Sequence, residues 1–115
     1  MITEFFKFNN NNKDLVNRML SNIDDVAIID FRPYWNLVNG ARDDRYVFDF
    51  EGNTYKFIYI VTGRESALMR SKTTFHLIKN KERIKNVSNR KLLKLYNKLG
   101  KHYKNVNKEL DKYNL

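Results

Sequence analysis

Arg45-Tyr46-Val47-Phe48-Asp49-Phe50-Glu51-Gly52-Asn53-Thr54-Tyr55-Lys56-Phe57-Ile58-Tyr59-Ile60-Val61 is the stretch that decides the fold. Apolar and polar residues alternate in Arg45 to Glu51 and again in Thr54 to Val61. Gly52-Asn53 between them suits a two-residue loop, so the spacing predicts an antiparallel hairpin. Pairing outward from that loop sets Glu51 opposite Thr54, Asp49 opposite Lys56 and Val47 opposite Ile58 on one face. The other face pairs Phe50 with Tyr55, Phe48 with Phe57 and Tyr46 with Tyr59. Such cross-strand aromatic pairs each contribute roughly 0.2–1 kcal/mol relative to alanine pairs. So many rings are costly to leave wet, which makes the aromatic ladder core and the face with Asp49, Glu51 and Lys56 the polar one.

Toward the N-terminus, Val26 to Phe31 is β-branched and aromatic and reads as a strand ended or kinked by Pro33, which cannot donate to a ladder. Leu15, Met19 and Ile23 recur at steps of four beside Val16 and Leu20, the pattern of a short amphipathic helix. The polar run Asn9 to Asn12 separates that helix from a short apolar strand, Phe5 to Phe8, and Asn39-Gly40 marks a turn. Toward the C-terminus, Arg64 to Lys72 reads as a long basic loop. Thr73 to Ile78 returns to strand composition, with Asn80-Lys81 turning it back into Arg83 to Val87.

Ser88 or Asn89 suits the N-cap of a final helix. Leu92, Tyr96, Leu99, Tyr103, Val106, Leu110 and Tyr113 recur at steps of four and three, the seam of a heptad pattern. Gly100 inside it costs about 1 kcal/mol against alanine. The chain therefore reads as a single α+β domain over residues 1–115. Its expected architecture is an antiparallel sheet of four to five strands, a short N-terminal helix and a long basic amphipathic C-terminal helix docked by its Leu/Tyr seam. The Leu92–Tyr113 seam also offers a route to an oligomer.

The 115 residues are 42% hydrophobic, with eight Phe, seven Tyr and one Trp, enough to build a core in spite of 30% charged residues. Cysteine is absent, which excludes disulfides, thiolate zinc sites and a cysteine nucleophile. Met1 to Phe8 carries Glu4 and breaks into asparagines, so it forms neither a signal-peptide core nor a membrane span, and a soluble cytoplasmic protein is expected. Abundant Lys, Asn, Ile and Tyr beside scarce Gly, Pro and Ala is the bias of AT-rich coding, as in low-GC bacteria, their phages and mobile elements.

Charge is the most informative bulk property. The net charge is +9, and it is unevenly spread. Residues 1–63 hold seven Lys and Arg against nine Asp and Glu, a net −2, whereas residues 64–115 hold fifteen against four, a net +11. A strongly basic half raises the local concentration of anionic partners, which points to nucleic acid, DNA or RNA, or to an acidic protein surface.

Two groups carry that charge. On the last helix, Lys91, Lys94, Lys98, Lys101, Lys108 and Lys112, with Arg90 and Lys104 beside them, fall away from the apolar seam and form a lysine ridge, with Glu109 and Asp111 only at its far end. Like charges at i,i+4 cost a few tenths of a kcal/mol each, so an anionic partner explains such a ridge better than stability does. Before the helix, Arg64, Arg70, Lys72, Lys79, Lys81, Arg83 and Lys85 form a second group on the loop and hairpin, where arginine can pair bidentately with phosphate or guanine. Together the two groups would make one track. Tyr34 and Trp35, just after Pro33, are the candidates for stacking on unpaired bases.

Catalytic signals are sparse. His76 lies in an alternating strand and His102 beside the helical seam, positions that packing explains. Asp24-Asp25 and Asp43-Asp44 are adjacent acids that could hold a magnesium ion with substrate phosphates, although adjacent acids before strands are more often caps or turn residues. No glycine-rich phosphate loop, nucleophile elbow or dinucleotide fingerprint is present, and no metal or cofactor is expected. The functional expectation is a small basic accessory protein of phage or mobile-element type that binds nucleic acid and is not an enzyme. The alternative from another class is a protein-binding modulator of a host or defence nucleic-acid-processing complex.

One enzyme class survives, the metal-free ribonucleases that position and protonate phosphate oxygens with side chains alone. The order of strand, helix and antiparallel meander loosely resembles that of bacterial RelE-type toxins, which place two helices before the sheet where this chain has space for about one. A ribonuclease of that class would need His76, with Arg64, Arg70 or Arg83 around the phosphate, to converge on one cleft beside the sheet.

Overall fold

The computed structural model describes residues 14–35, 40–63 and 71–113, with side chains described as far as Lys108. The expected strand Phe5–Phe8, and Arg64 to Arg70 of the basic loop, lie outside the described residues. The chain separates into two compact units, one running from Ala27 to Ile84 and one made of the residues up to Val26 with those from Lys85 onward.

The first of these is a five-stranded antiparallel sheet in the order β1-β2-β3-β4-β5, with β1 at Ala27–Arg32, β2 at Arg42–Phe50, β3 at Asn53–Thr62, β4 at Lys72–Lys79 and β5 at Glu82–Arg83. The fold class is the α+β arrangement expected from the sequence. The hairpin of β2 and β3 is present, but its register is not the one set by a Gly52-Asn53 loop. Phe50 pairs with Asn53, Phe48 with Tyr55 and Tyr46 with Phe57, because Glu51 and Gly52 form the loop at φ 49° and 77°. A two-residue loop of this twist needs positive φ at both central positions, and placing Glu51 there moves every pairing by two while leaving each side chain on its expected face.

The aromatic face is buried as expected. Tyr46, Phe48, Phe50, Tyr55, Phe57, Phe75 and Leu77 are all buried. Phe48 stacks on Tyr55 with ring centroids 5.6 Å apart, and Phe31 stacks on Tyr46 at 4.4 Å. Burying one such ring contributes roughly 1.5–3 kcal/mol. Asp44 shares this face and is only 1% exposed, its Oδ2 accepting from Arg42 Nε at 2.8 Å. A buried carboxylate is tolerated only when paired in this way.

Pro33 does not end the pairing of β1. Beyond it Tyr34 and Asp43 exchange both backbone hydrogen bonds, at 3.1 and 2.9 Å, and Trp35 bridges Arg42. Pro33 falls opposite Asp44, between hydrogen-bonded pairs, where an antiparallel ladder makes no use of a donor. A bulge between Ile28 and Asp30 leaves Ile29 exposed.

Asn80 and Lys81 turn β4 into β5 as expected, both at positive φ, 52° and 66°, although β5 is only two residues long. Asparagine tolerates that conformation, whereas lysine is strained by it. Lys81→Gly is expected to raise stability by about 0.5–1 kcal/mol, read as a rise of a few degrees in the thermal midpoint. A lower midpoint would show that the Lys81 side chain contributes more than its backbone costs.

The other unit contains α1, helical over residues 14–21, a 3₁₀ turn at Ile23–Asp25 and α2 at Asn89–Tyr113. Ser88 is the N-cap of α2, its Oγ accepting from Lys91 N–H at 3.2 Å. The buried apolar side chains are Leu15, Val16, Met19, Val26, Leu92, Leu95 and Leu99. The expected heptad seam is thereby corrected, since Leu95 belongs to the buried stripe and Val106 is 41% exposed. Leu92, Leu95 and Leu99 form the one buried apolar stripe described on this amphipathic helix. Leu110 and Tyr113 have side chains outside the described set. His102 Nε2 lies 2.7 Å from the Val26 carbonyl, which gives this histidine the structural role expected of it. No helix among the described residues is long and apolar enough to cross a membrane.

Candidate polyanion-binding surfaces

The stripe Leu92, Leu95 and Leu99 fixes which side of α2 faces outward. At 3.6 residues per turn, Arg90, Lys94, Lys101, Lys104 and Lys108 fall within an arc of about 80° on the opposite side, spread along roughly 27 Å of helix. All five are exposed, and none forms an ion pair among the described residues. Their exposed neighbours on that side are Leu93, Asn97 and Asn105, so no described acid interrupts the row. Lys91 is half-buried at its border. The first turn of α2 holds no acid and instead carries Arg90 and Lys91, the wrong sign for the positive end of the helix dipole.

Lys98 belongs to the ridge by sequence but has a second role. Its Nζ donates to the Leu20 carbonyl at 2.7 Å, at the C-terminal end of α1. Helix ends leave such carbonyls without an intrahelical partner, and a cation there is favourable. Lys98 ties α2 to α1 and is the least suitable ridge position for an anion-binding test.

The second basic group is divided. Lys72 starts β4 and Lys79 ends it, about 23 Å apart along the strand. Lys79 is half-buried and pairs in register with Glu82, whereas Lys81 at the turn and Arg83 on β5 are exposed. Lys85 is exposed in the other unit. Arg64 and Arg70 lie outside the described residues. Tyr34 and Trp35 are 61% and 62% exposed, but alternation sends them to opposite faces of the sheet, so they do not form one stacking platform.

A feature missed by sequence reasoning lies on the polar face of the sheet. A cleft of about 470 Å³ is lined by Asp30, Arg32, Pro33, Tyr34, Asp43, Arg45, Val47 and Lys56. Four of its five charges come in same-strand pairs, and Lys56 is the fifth. Arg32 Nε lies 2.9 Å from Asp30 Oδ2, and Arg45 donates through Nε and a terminal nitrogen to both oxygens of Asp43 at 3.2 and 3.1 Å. Hydrogen bonding to Asp43, and then its charge, push the Arg45 pKa up against slight burial. The signal was present as a repeated Asp-x-Arg, since residues two apart on a strand share a face. Asp43 and Asp44, adjacent in sequence, face opposite ways for the same reason and cannot close on one ion. Asp24 and Asp25 are exposed in the 3₁₀ turn.

His76 also lies on the polar face, half-buried on β4 opposite Ile58. Burial first, and then the charge of Arg83, hold its pKa below the ordinary 6.5. Folding therefore favours the neutral ring, and the stability this contributes is present above pH 6.5 and lost as the pH falls toward the lowered value.

No protein-family model matches this chain, and comparisons with curated proteins and with solved structures find no match.

Proposed function

We infer that this is a small basic accessory protein, of phage or mobile-element type, that works in the cytoplasm by binding nucleic acid through the Lys/Arg surface of its second half. It acts by binding rather than by catalysis. The observation that carries the reading is the outward face of α2, where Arg90, Lys94, Lys101, Lys104 and Lys108 are exposed without a described acid. Such a row gains little for the fold, because like charges one turn apart repel. It gains a great deal when phosphates replace the counterions around it. Contacts of this kind hold the backbone without reading bases, so binding is non-specific or follows shape.

The test is affinity for duplex DNA, single-stranded DNA and RNA across salt. Log K is expected to fall steeply and linearly with log salt, with a slope of about −0.9 for each duplex phosphate neutralised. No detectable binding to any of the three at low salt contradicts the reading. Leu93, 45% exposed beside the lysine row, favours a second reading, in which the same face docks on an acidic protein. A stoichiometric protein partner retained after nuclease treatment of a low-GC host lysate selects that reading instead.

A further inference from the structure

The acids on the polar face of the sheet are all on β1 and β2, and each is engaged. Asp30 holds Arg32, Asp43 holds Arg45, and Asp49 accepts from the Thr54 hydroxyl. Toward β5 the face changes character. Lys56 on β3 and Arg83 on β5 are both register partners of Ile78 on β4, and His76 lies two residues before Ile78 on the same side. Diagonal cross-strand neighbours of this kind stand about 7–8 Å apart between backbones, within reach of long side chains. The remaining residues of this face on β3 and β4 are Thr54, Ile58, Ile60, Thr62, Lys72 and Thr74, so none of these strands turns an acid toward His76. Glu82 pairs with Lys79 on the other face. Lys56 and Arg83 are exposed, and the His76 ring makes no hydrogen bond among the described residues.

The geometry points to a phosphate-binding site on the polar face of the sheet, where Lys56, His76 and Arg83 converge on one anionic group of a nucleotide or a single-stranded backbone. The ligand class follows the polyanion reading above, but the residues lie in a different compact unit from α2 and act independently of its lysines. Lys56 also lines the cleft that holds Tyr34, which places a surface for base or sugar beside the phosphate. The site has a proton dependence of definite sign. With Arg83 alongside and no anion bound, His76 is neutral at pH 7. A phosphate between the three groups favours the imidazolium, so binding takes up a proton and strengthens as the pH falls.

The experiment follows the His76 ring of the full chain by NMR through a pH titration. It is run in chloride buffer, with thymidine monophosphate, and with hexathymidylate lacking terminal phosphates, whose diesters do not titrate in this range. The His76 midpoint is expected to rise by about one unit with a saturating ligand. Hexathymidylate is then expected to bind about tenfold more tightly at pH 5.5 than at pH 7.5. That ratio should collapse to about one in His76→Gln, and Lys56→Ala and Arg83→Ala should each shrink the midpoint shift. A shift with hexathymidylate at much lower concentration than with the mononucleotide identifies a backbone site, and equal response per phosphate identifies a free nucleotide. A His76 midpoint that neither probe moves overturns the proposal. Charge reversal on α2 leaves the mononucleotide shift intact, so failure here and failure of the α2 reading are read separately.

Discussion

Replacing Lys94, Lys101 and Lys108 together by Glu is expected to lower affinity for duplex DNA by about 100-fold at 100 mM salt, and to make the slope of log K against log salt shallower by about three. Three phosphate contacts are lost and three repulsions replace them. The side chains chosen are exposed and unpaired among the described residues, so the thermal midpoint should move little. Lys98 is left intact because its ammonium group holds the Leu20 carbonyl. DNA, single-stranded DNA and RNA should all weaken alike, because the contacts are to backbone phosphate. An affinity within twofold of the parent chain would remove α2 from the binding surface.

The second large effect separates core aromatics from exposed ones. Phe57→Ala is expected to cost about 3–5 kcal/mol, through lost transfer energy and the cavity left behind. That approaches the whole stability of a chain of this size. Phe57 is fully buried between the register partners Tyr46 and Leu77. Trp35→Ala, at a position 62% exposed, should stay within about 1 kcal/mol. Denaturant unfolding of the two variants checks both values. Were the ladder a stacking platform for bases, Phe57→Ala would instead leave stability near that of the parent and abolish single-strand binding.

The hairpin and its two faces were legible because alternation is a strong local signal, and because a register change of two keeps every side chain on its side. The register itself was not legible. Gly52-Asn53 is the better loop by composition, yet the chain places Glu51 at positive φ and keeps Asn53 in the strand. The outward lysine face of α2 followed from spacing alone, whereas the buried stripe did not. Steps of three and four fit both the heptad seam and the path through Leu92, Leu95 and Leu99, and packing within the unit chose the second.

Two features needed tertiary structure. Lys98 reaches a carbonyl 78 residues away in sequence, which no local pattern encodes. Lys56, His76 and Arg83 come from three strands and are brought onto one face around Ile78 only by the strand register. The sequence grouped Lys72 with Lys79, Lys81 and Arg83 because they are close along the chain, but an extended strand holds its two ends far apart.

The most direct measurement of the central claim is the response of backbone and lysine side-chain NMR signals of the full chain to a short duplex at low salt. The account predicts that the largest shifts fall on Arg90, Lys94, Lys101, Lys104 and Lys108, with Leu92, Leu95 and Leu99 little changed, and that added salt reverses them. A duplex that binds while leaving the outward side of α2 unperturbed would contradict it.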